Sequence, residues 1–182
     1  VEFWLPEGRD FRSPNSMPDG PGKTLWGVQQ LRWLQETIAS SDATFKILLS
    51  PTGLVGPDRG NKSDSHANRK GFFTEAQQFL GWMKEHGVSN FFIVNGDRHW
   101  KYHSVHIPTG YEEFCCGALT DMASVQDPDY QDDYADRKWH RGNGGFLAIR
   151  VVVEGVETPQ LVLEFYEEDG NLVHTVTRQQ VK

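Results

Sequence analysis

Phe91-Phe-Ile-Val-Asn-Gly-Asp-Arg-His-Trp100 reads as a buried strand that breaks at a glycine and then presents an acid and an imidazole two residues apart. Phe91 to Val94 form a continuous apolar run of aromatic and β-branched residues, the pattern of a strand covered on both faces. Gly96 allows a tight turn or a close approach of backbone to ligand. Asp97 and His99 stand at i and i+2, so in an extended chain both point to one side. Ligands collect beyond the carboxyl ends of strands in α/β sheets. A carboxylate and an imidazole at that place suit a metal or an acid/base site. In the bland alternative Asp97 only caps a turn and His99 is a hydrogen-bonded histidine near the core.

Outward from this stretch, helices alternate with strands on the N-terminal side. A strand-like Val1–Leu5 is followed by a polar loop, Arg9 to Lys23. A helix is expected from Leu25 to Ala39, with Val28, Leu31, Leu34 and Ile38 as its buried stripe. Thr44–Leu49 reads as an interior strand. A long Pro/Gly-bearing loop from Ser50 to Gly71 carries Arg59, Lys62, Asp64, His66 and Asn68, and loops of that length in a compact domain are usually functional or disordered. A second helix is expected from Thr74, as N-cap, to His86, closed by Gly87.

On the C-terminal side the pattern turns to strands: Tyr102–Ile107, Glu112–Cys116, Gly145–Val153, Gln160–Tyr166 and Leu172–Arg178, the last two joined by a turn at Glu168-Asp-Gly-Asn171. Thr120 to Arg141 reads as irregular and acidic. Its Asp127, Asp129, Asp132, Asp133 and Asp136 lack the spacing of a calcium loop and fit a solvated lid better. Alternating elements early and antiparallel strands late give an α/β sandwich with mixed sheets, and no internal boundary divides the 182 residues.

Composition narrows the function. Hydrophobic residues at 37% and aromatics at 12% exclude a disordered chain, and a net charge of −7 argues against nucleic acid as a partner. No run is apolar and long enough to span a membrane, and none reads as a signal peptide. Cys115 and Cys116 are adjacent, build no disulfide framework, and read as small buried residues of a strand. Arg98 points away from its neighbours in an extended reading and is expected to pair with an acid elsewhere. His103 and His106 read as ordinary polar positions, and Trp26, Trp33, Trp82 and Trp100 as core or edge residues.

Gly27-Val-Gln-Gln-Leu-Arg-Trp-Leu34, Leu49-Ser-Pro-Thr-Gly-Leu-Val-Gly-Pro-Asp-Arg59, Lys62-Ser-Asp-Ser-His-Ala-Asn68 and Gly96-Asp-Arg-His-Trp-Lys-Tyr-His-Ser104 occur in that order. Together they resemble the alkaline phosphatase D (PhoD-like) family of metallophosphatases, from about Asp10 to the C-terminal strands. The resemblance implies a share of a four-layer α/β/β/α sandwich. It also implies metal-dependent hydrolysis of phosphate mono- or diesters, with a phosphorylated small molecule as substrate and a periplasmic or secreted location. Aspartate and Gly-Asn-His motifs that the superfamily places in its N-terminal half are missing, so this sequence is expected to supply the C-terminal half of the domain and to need the other half as partner. The alternative is a non-catalytic binding or structural module that keeps a degenerate scaffold.

Phosphoester hydrolysis needs the charge on phosphoryl oxygens neutralised and a water activated near neutral pH, which two metals about 3.5–4 Å apart achieve. The family implies iron with calcium, with zinc or manganese elsewhere in the superfamily. Asp97 and His99 are the expected ligands, and His99 and Arg12 the expected catalytic residues. His66 either folds back as a further ligand or stays a solvated loop residue, and Asp64 shares that choice. Asp10, Arg12 and Arg59 are the expected substrate-binding residues, because an arginine fork pairs bidentately with phosphate. Surface ion pairs are the bland alternative for these arginines. Alone, the chain is expected to hydrolyse esters poorly.

Overall fold

A computed structural model describes residues 1–60, 62–124 and 133–181 of the chain. Strand β3, Phe91–Asn95, is the quoted apolar run, and it lies inside a six-stranded mixed sheet. The other members are β1 (Glu2–Trp4), β2 (Lys46–Ser50), β4 (Lys101–His106), β5 (Glu112–Cys116) and β6 (Ala135–Arg141), in the order β1-β2-β3-β5-β4-β6. β1, β2, β3 and β5 run parallel, whereas β4 is antiparallel to both β5 and β6. Helices α1 (Val28–Ser40) and α2 (Phe73–Glu85) make the crossovers from β1 to β2 and from β2 to β3. A second, antiparallel sheet contains β7 (Phe146–Val152), β8 (Gln160–Tyr166) and β9 (Leu172–Gln179).

Strand alternation sends successive side chains into two different cores. Leu48, Phe91 and Ile93 join Leu34 and Ile38 of α1 and Phe79, Leu80 and Met83 of α2 on one face. Ile47, Phe92 and Phe114 meet Leu161, Leu163, Phe165 and Val176 of the small sheet on the other. The layers within this chain are therefore helices, large sheet, small sheet. Both helices lie on one face because successive right-handed crossovers in one direction put them there. Among the described residues no helix is long and apolar enough to cross a membrane.

Several local expectations need correction. Val28 is 70% exposed, because Leu25 and Trp26, just before the helix, already fill the core beneath its first turn. Thr74 is not the N-cap of α2. The helix starts one residue earlier, and Asp19, from the loop after β1, accepts bonds from the Thr74 backbone N–H (3.0 Å) and hydroxyl (2.8 Å). Asp19→Ala should cost about 1 kcal/mol in a urea melt, the usual worth of a capping oxygen. An unchanged midpoint would mean that the loop does not cap the helix. β6 was read as irregular, yet it pairs with β4 as an edge strand. Its run of charges is typical of an edge, and across a bulge opposite His103 and Ser104 it sends Ala135 into one core and Trp139 toward the other. Asp127, Asp129 and Asp132 lie outside the described residues. His103 and His106 are buried, not ordinary polar positions: His103 stacks on Phe114 and bonds Glu112 at 2.7 Å, and His106 bonds Thr109 and Gln77.

Candidate functional site

The parallel strands end on one edge, and there the chain leaves β3 through Asn95 and Gly96. It does not stay extended. Asp97 has φ 64°, in the left-handed region that an aspartate tolerates better than most side chains. This kink, rather than strand alternation, brings Asp97 and His99 to one pocket of about 250 Å³, which Arg59, Lys62, Asp64, Arg98 and Trp100 also line. Loop residues separated by some forty positions in sequence thus face the ligand-type pair.

His99 is exposed, and its Nδ1 lies against the Ala123 carbonyl. A carbonyl only accepts, so Nδ1 carries a proton and the ring turns Nε2 away from this bond. That is the arrangement in which a histidine is oriented for a metal or a proton. The Asp97 side chain is 41% exposed, and Asp64 Oδ1 is buried with no hydrogen-bond partner among the described residues. Arg98, only 5% exposed, donates from one terminal nitrogen to Asp58 at 2.8 Å and from the other to Asp97 at 3.4 Å. Burial works against the Arg98 charge, but Asp58, Tyr102 and Asp97 outweigh it and leave the pKa above the ordinary guanidinium value. Arg59 lies over the Trp100 ring at 5.3 Å.

The floor beneath is a buried polar network. Glu113 accepts from the backbone N–H groups of Leu54 (2.5 Å), Val55 (3.0 Å) and Gly56 (2.8 Å) and from the Tyr102 hydroxyl (2.8 Å). Asn95 in turn donates to Tyr102 at 3.2 Å. Burial, with Glu113 alongside, pushes the Tyr102 phenol well above its usual range, so it stays a neutral donor. Burial likewise raises the Cys115 thiol, which keeps it unreactive.

His66 is not the solvated loop residue of the second reading. It is fully buried, is not among the residues lining the pocket, and its Nε2 meets Glu75 at 2.8 Å while its ring packs on Trp26. Burial raises the Glu75 pKa, yet the bonds from His66, Thr24 and Leu25 outweigh it and hold the carboxylate below its usual range. Asp10 and Arg12 stand on the loop after β1, on the same edge as the end of β3 but outside the lining of this pocket. Between them, Phe11 borders an apolar groove with Trp26, Val28 and Trp33. Arg98 does find its acid, Asp58, which sequence reasoning did not single out. Trp100 is buried as expected but also forms a wall of the pocket. No local signal marks Asp58 or the Ala123 carbonyl, since both act on partners far along the chain.

Among the described residues no three His, Cys, Asp or Glu side chains are grouped so as to hold a metal ion. What the edge offers is a pair of donors facing two cations.

The family model described as PhoD-like phosphatase matches residues 1–148. The chain belongs to this family. The PhoD-like fold is also found by structure: a solved structure of PhoD superposes with a TM-score of 0.68 over 98% of this chain, at 16% identity. The chain spans 40% of the length of that PhoD chain. No curated protein matches the sequence. The matched residues include every residue lining the pocket and both helices, and end within β7.

Proposed function

We propose that this chain supplies part of the centre of a metal-dependent phosphoric-ester hydrolase acting on mono- or diesters of small molecules, as the C-terminal portion of a PhoD-like catalytic domain. The observation that carries this reading is the single pocket in which Asp97 and His99 face Arg59 and Lys62. The donors present fit a metal ion only as two members of a larger ligand set: the half-exposed Asp97 carboxylate and the His99 imidazole with its Nδ1 engaged. Carboxylate and imidazole suit iron, zinc or manganese, and carboxylate suits calcium. Bound there, such ions would neutralise charge on the phosphoryl oxygens and activate the attacking water.

The chain's own residues do the remaining work. Asp97 and His99 hold the metal side. Arg59, which lies over the Trp100 ring, would pair with the phosphate, and Lys62 would add a second positive charge. Arg12 and Asp10 would act from the β1 loop, nearer the apolar groove, so Arg59 is the better placed phosphate ligand. His66 is fully buried and does not line this pocket, so it is left out of the ligand set. The remaining ligands would come from residues outside this pair, and the family resemblance favours a secreted or periplasmic location.

The test uses the full-length parent, p-nitrophenyl phosphate, its bis-ester and elemental analysis. Asp97→Asn and His99→Ala should each lower metal content and kcat/KM by at least about tenfold. Arg59→Ala should keep the metal and raise KM. Full metal and full rate in Asp97→Asn would refute the reading and favour a non-catalytic module on a retained scaffold.

A further inference from the structure

Arg98 sits between the two walls of the pocket and touches both. One arm of its guanidinium donates to Asp97 on the kinked turn after β3. The other donates to Asp58, whose second oxygen accepts from the Arg59 N–H at 2.6 Å while the first also takes the Ser65 hydroxyl at 2.8 Å. The segment that Asp58 anchors carries Arg59, Lys62 and Asp64, the opposite wall. Asp58 is 1% exposed and Arg98 5%, so both charges are removed from water and neither can change partner cheaply. Arg98 is not part of any of the hydrophobic clusters.

We propose that Arg98 is a positioning residue, a brace that fixes the turn bearing Asp97 and His99 against the loop bearing Arg59 and Lys62. It thereby sets the span between the donors of the metal side and the cations of the phosphate side. This rests on the reading of the pocket as a phosphoester site. The brace needs an arginine: its planar fork reaches two carboxylates with different nitrogens, whereas a lysine offers one ammonium on a flexible stem and cannot hold both in fixed geometry. The stacking of Arg59 on Trp100 is a second, weaker tie between the same two segments.

Arg98→Lys, Asp58→Asn and the double variant separate a brace from a merely structural ion pair. Amide exchange is followed at Arg59 and Lys62 on the loop and at Ile93 in β3, and kcat and KM are measured with Mn²⁺ and bis-p-nitrophenyl phosphate in the full-length protein. Exchange at Arg59 and Lys62 should quicken about tenfold or more in each single variant and no further in the double one, with Ile93 unchanged. In Arg98→Lys, kcat should fall about 10–100-fold while Mn²⁺ content is kept. Unchanged loop exchange, or wild-type kcat and KM in Arg98→Lys, would overturn the brace. A wild-type protein that binds no Mn²⁺ and turns over no ester would instead overturn the functional reading, and the exchange data then decide the brace by themselves.

Discussion

Glu113→Ala should lower the unfolding free energy by about 3–5 kcal/mol, more than any other single substitution considered for this chain. Glu113 is fully buried, and its carboxylate takes the backbone N–H groups of Leu54, Val55 and Gly56 together with the Tyr102 hydroxyl. Alanine leaves these four donors without an acceptor where water does not reach, and each orphaned donor costs about 1–3 kcal/mol before relaxation. Glu113→Gln should cost less, because one oxygen still accepts while the amide nitrogen faces donors. The loop that Glu113 anchors leads directly to Asp58, so the loss should also loosen the Arg59 wall of the pocket. Urea unfolding followed by circular dichroism reads both variants. A loss under about 1 kcal/mol in the alanine variant would show that the loop finds other acceptors.

The second expectation concerns acid. Burial lowers the His106 pKa from 6.5 to about 4. Its ring nitrogens lie against Thr109 and Gln77, and among the described residues no carboxylate bonds it. Between those two pH values the unfolded chain binds a proton at His106 and the folded chain does not. The stability contribution is therefore whole above pH 6.5, falls as the pH drops through that window, and levels off below about 4. The full loss is on the order of 3 kcal/mol, since each pKa unit is worth about 1.36 kcal/mol. His106→Gln keeps a polar group there and removes the titration. Between pH 7 and 4.5 the parent chain should lose about 2–3 kcal/mol more than the variant. Glu75 and Glu112, whose pKa values are held low, add acid sensitivity common to both proteins and cancel in the difference. Equal losses in the two proteins would mean that His106 titrates alike in both states.

Local pattern carried most of the element reading. Phe91–Asn95, Glu112–Cys116 and Gln160–Tyr166 are strands in the structure as in the sequence, because apolar and β-branched runs bounded by turn residues have few other stable forms. β6 escapes that reading because a bulge against β4 shifts its faces and its run of charges hides the period of two. Val28 was placed wrongly for a related reason: a helical stripe shows which residues share a side, not how far the partner surface beneath it extends.

The sequence by itself determined the family, the strand-then-Gly-Asp-Arg-His turn and the chemical types at the site, since these depend on residues close along the chain. Only the tertiary structure decided which distant groups join them. It committed His66 to Glu75 and kept it out of the pocket, paired Arg98 with Asp58, laid Arg59 on Trp100 and aimed His99 through the Ala123 carbonyl. It also brought Asp97 into the pocket by a left-handed kink where alternation along a strand had been expected. These contacts join segments whose spacing carries no periodic signal, and they arise because buried charges and orphaned backbone groups must find partners wherever the fold brings one within reach.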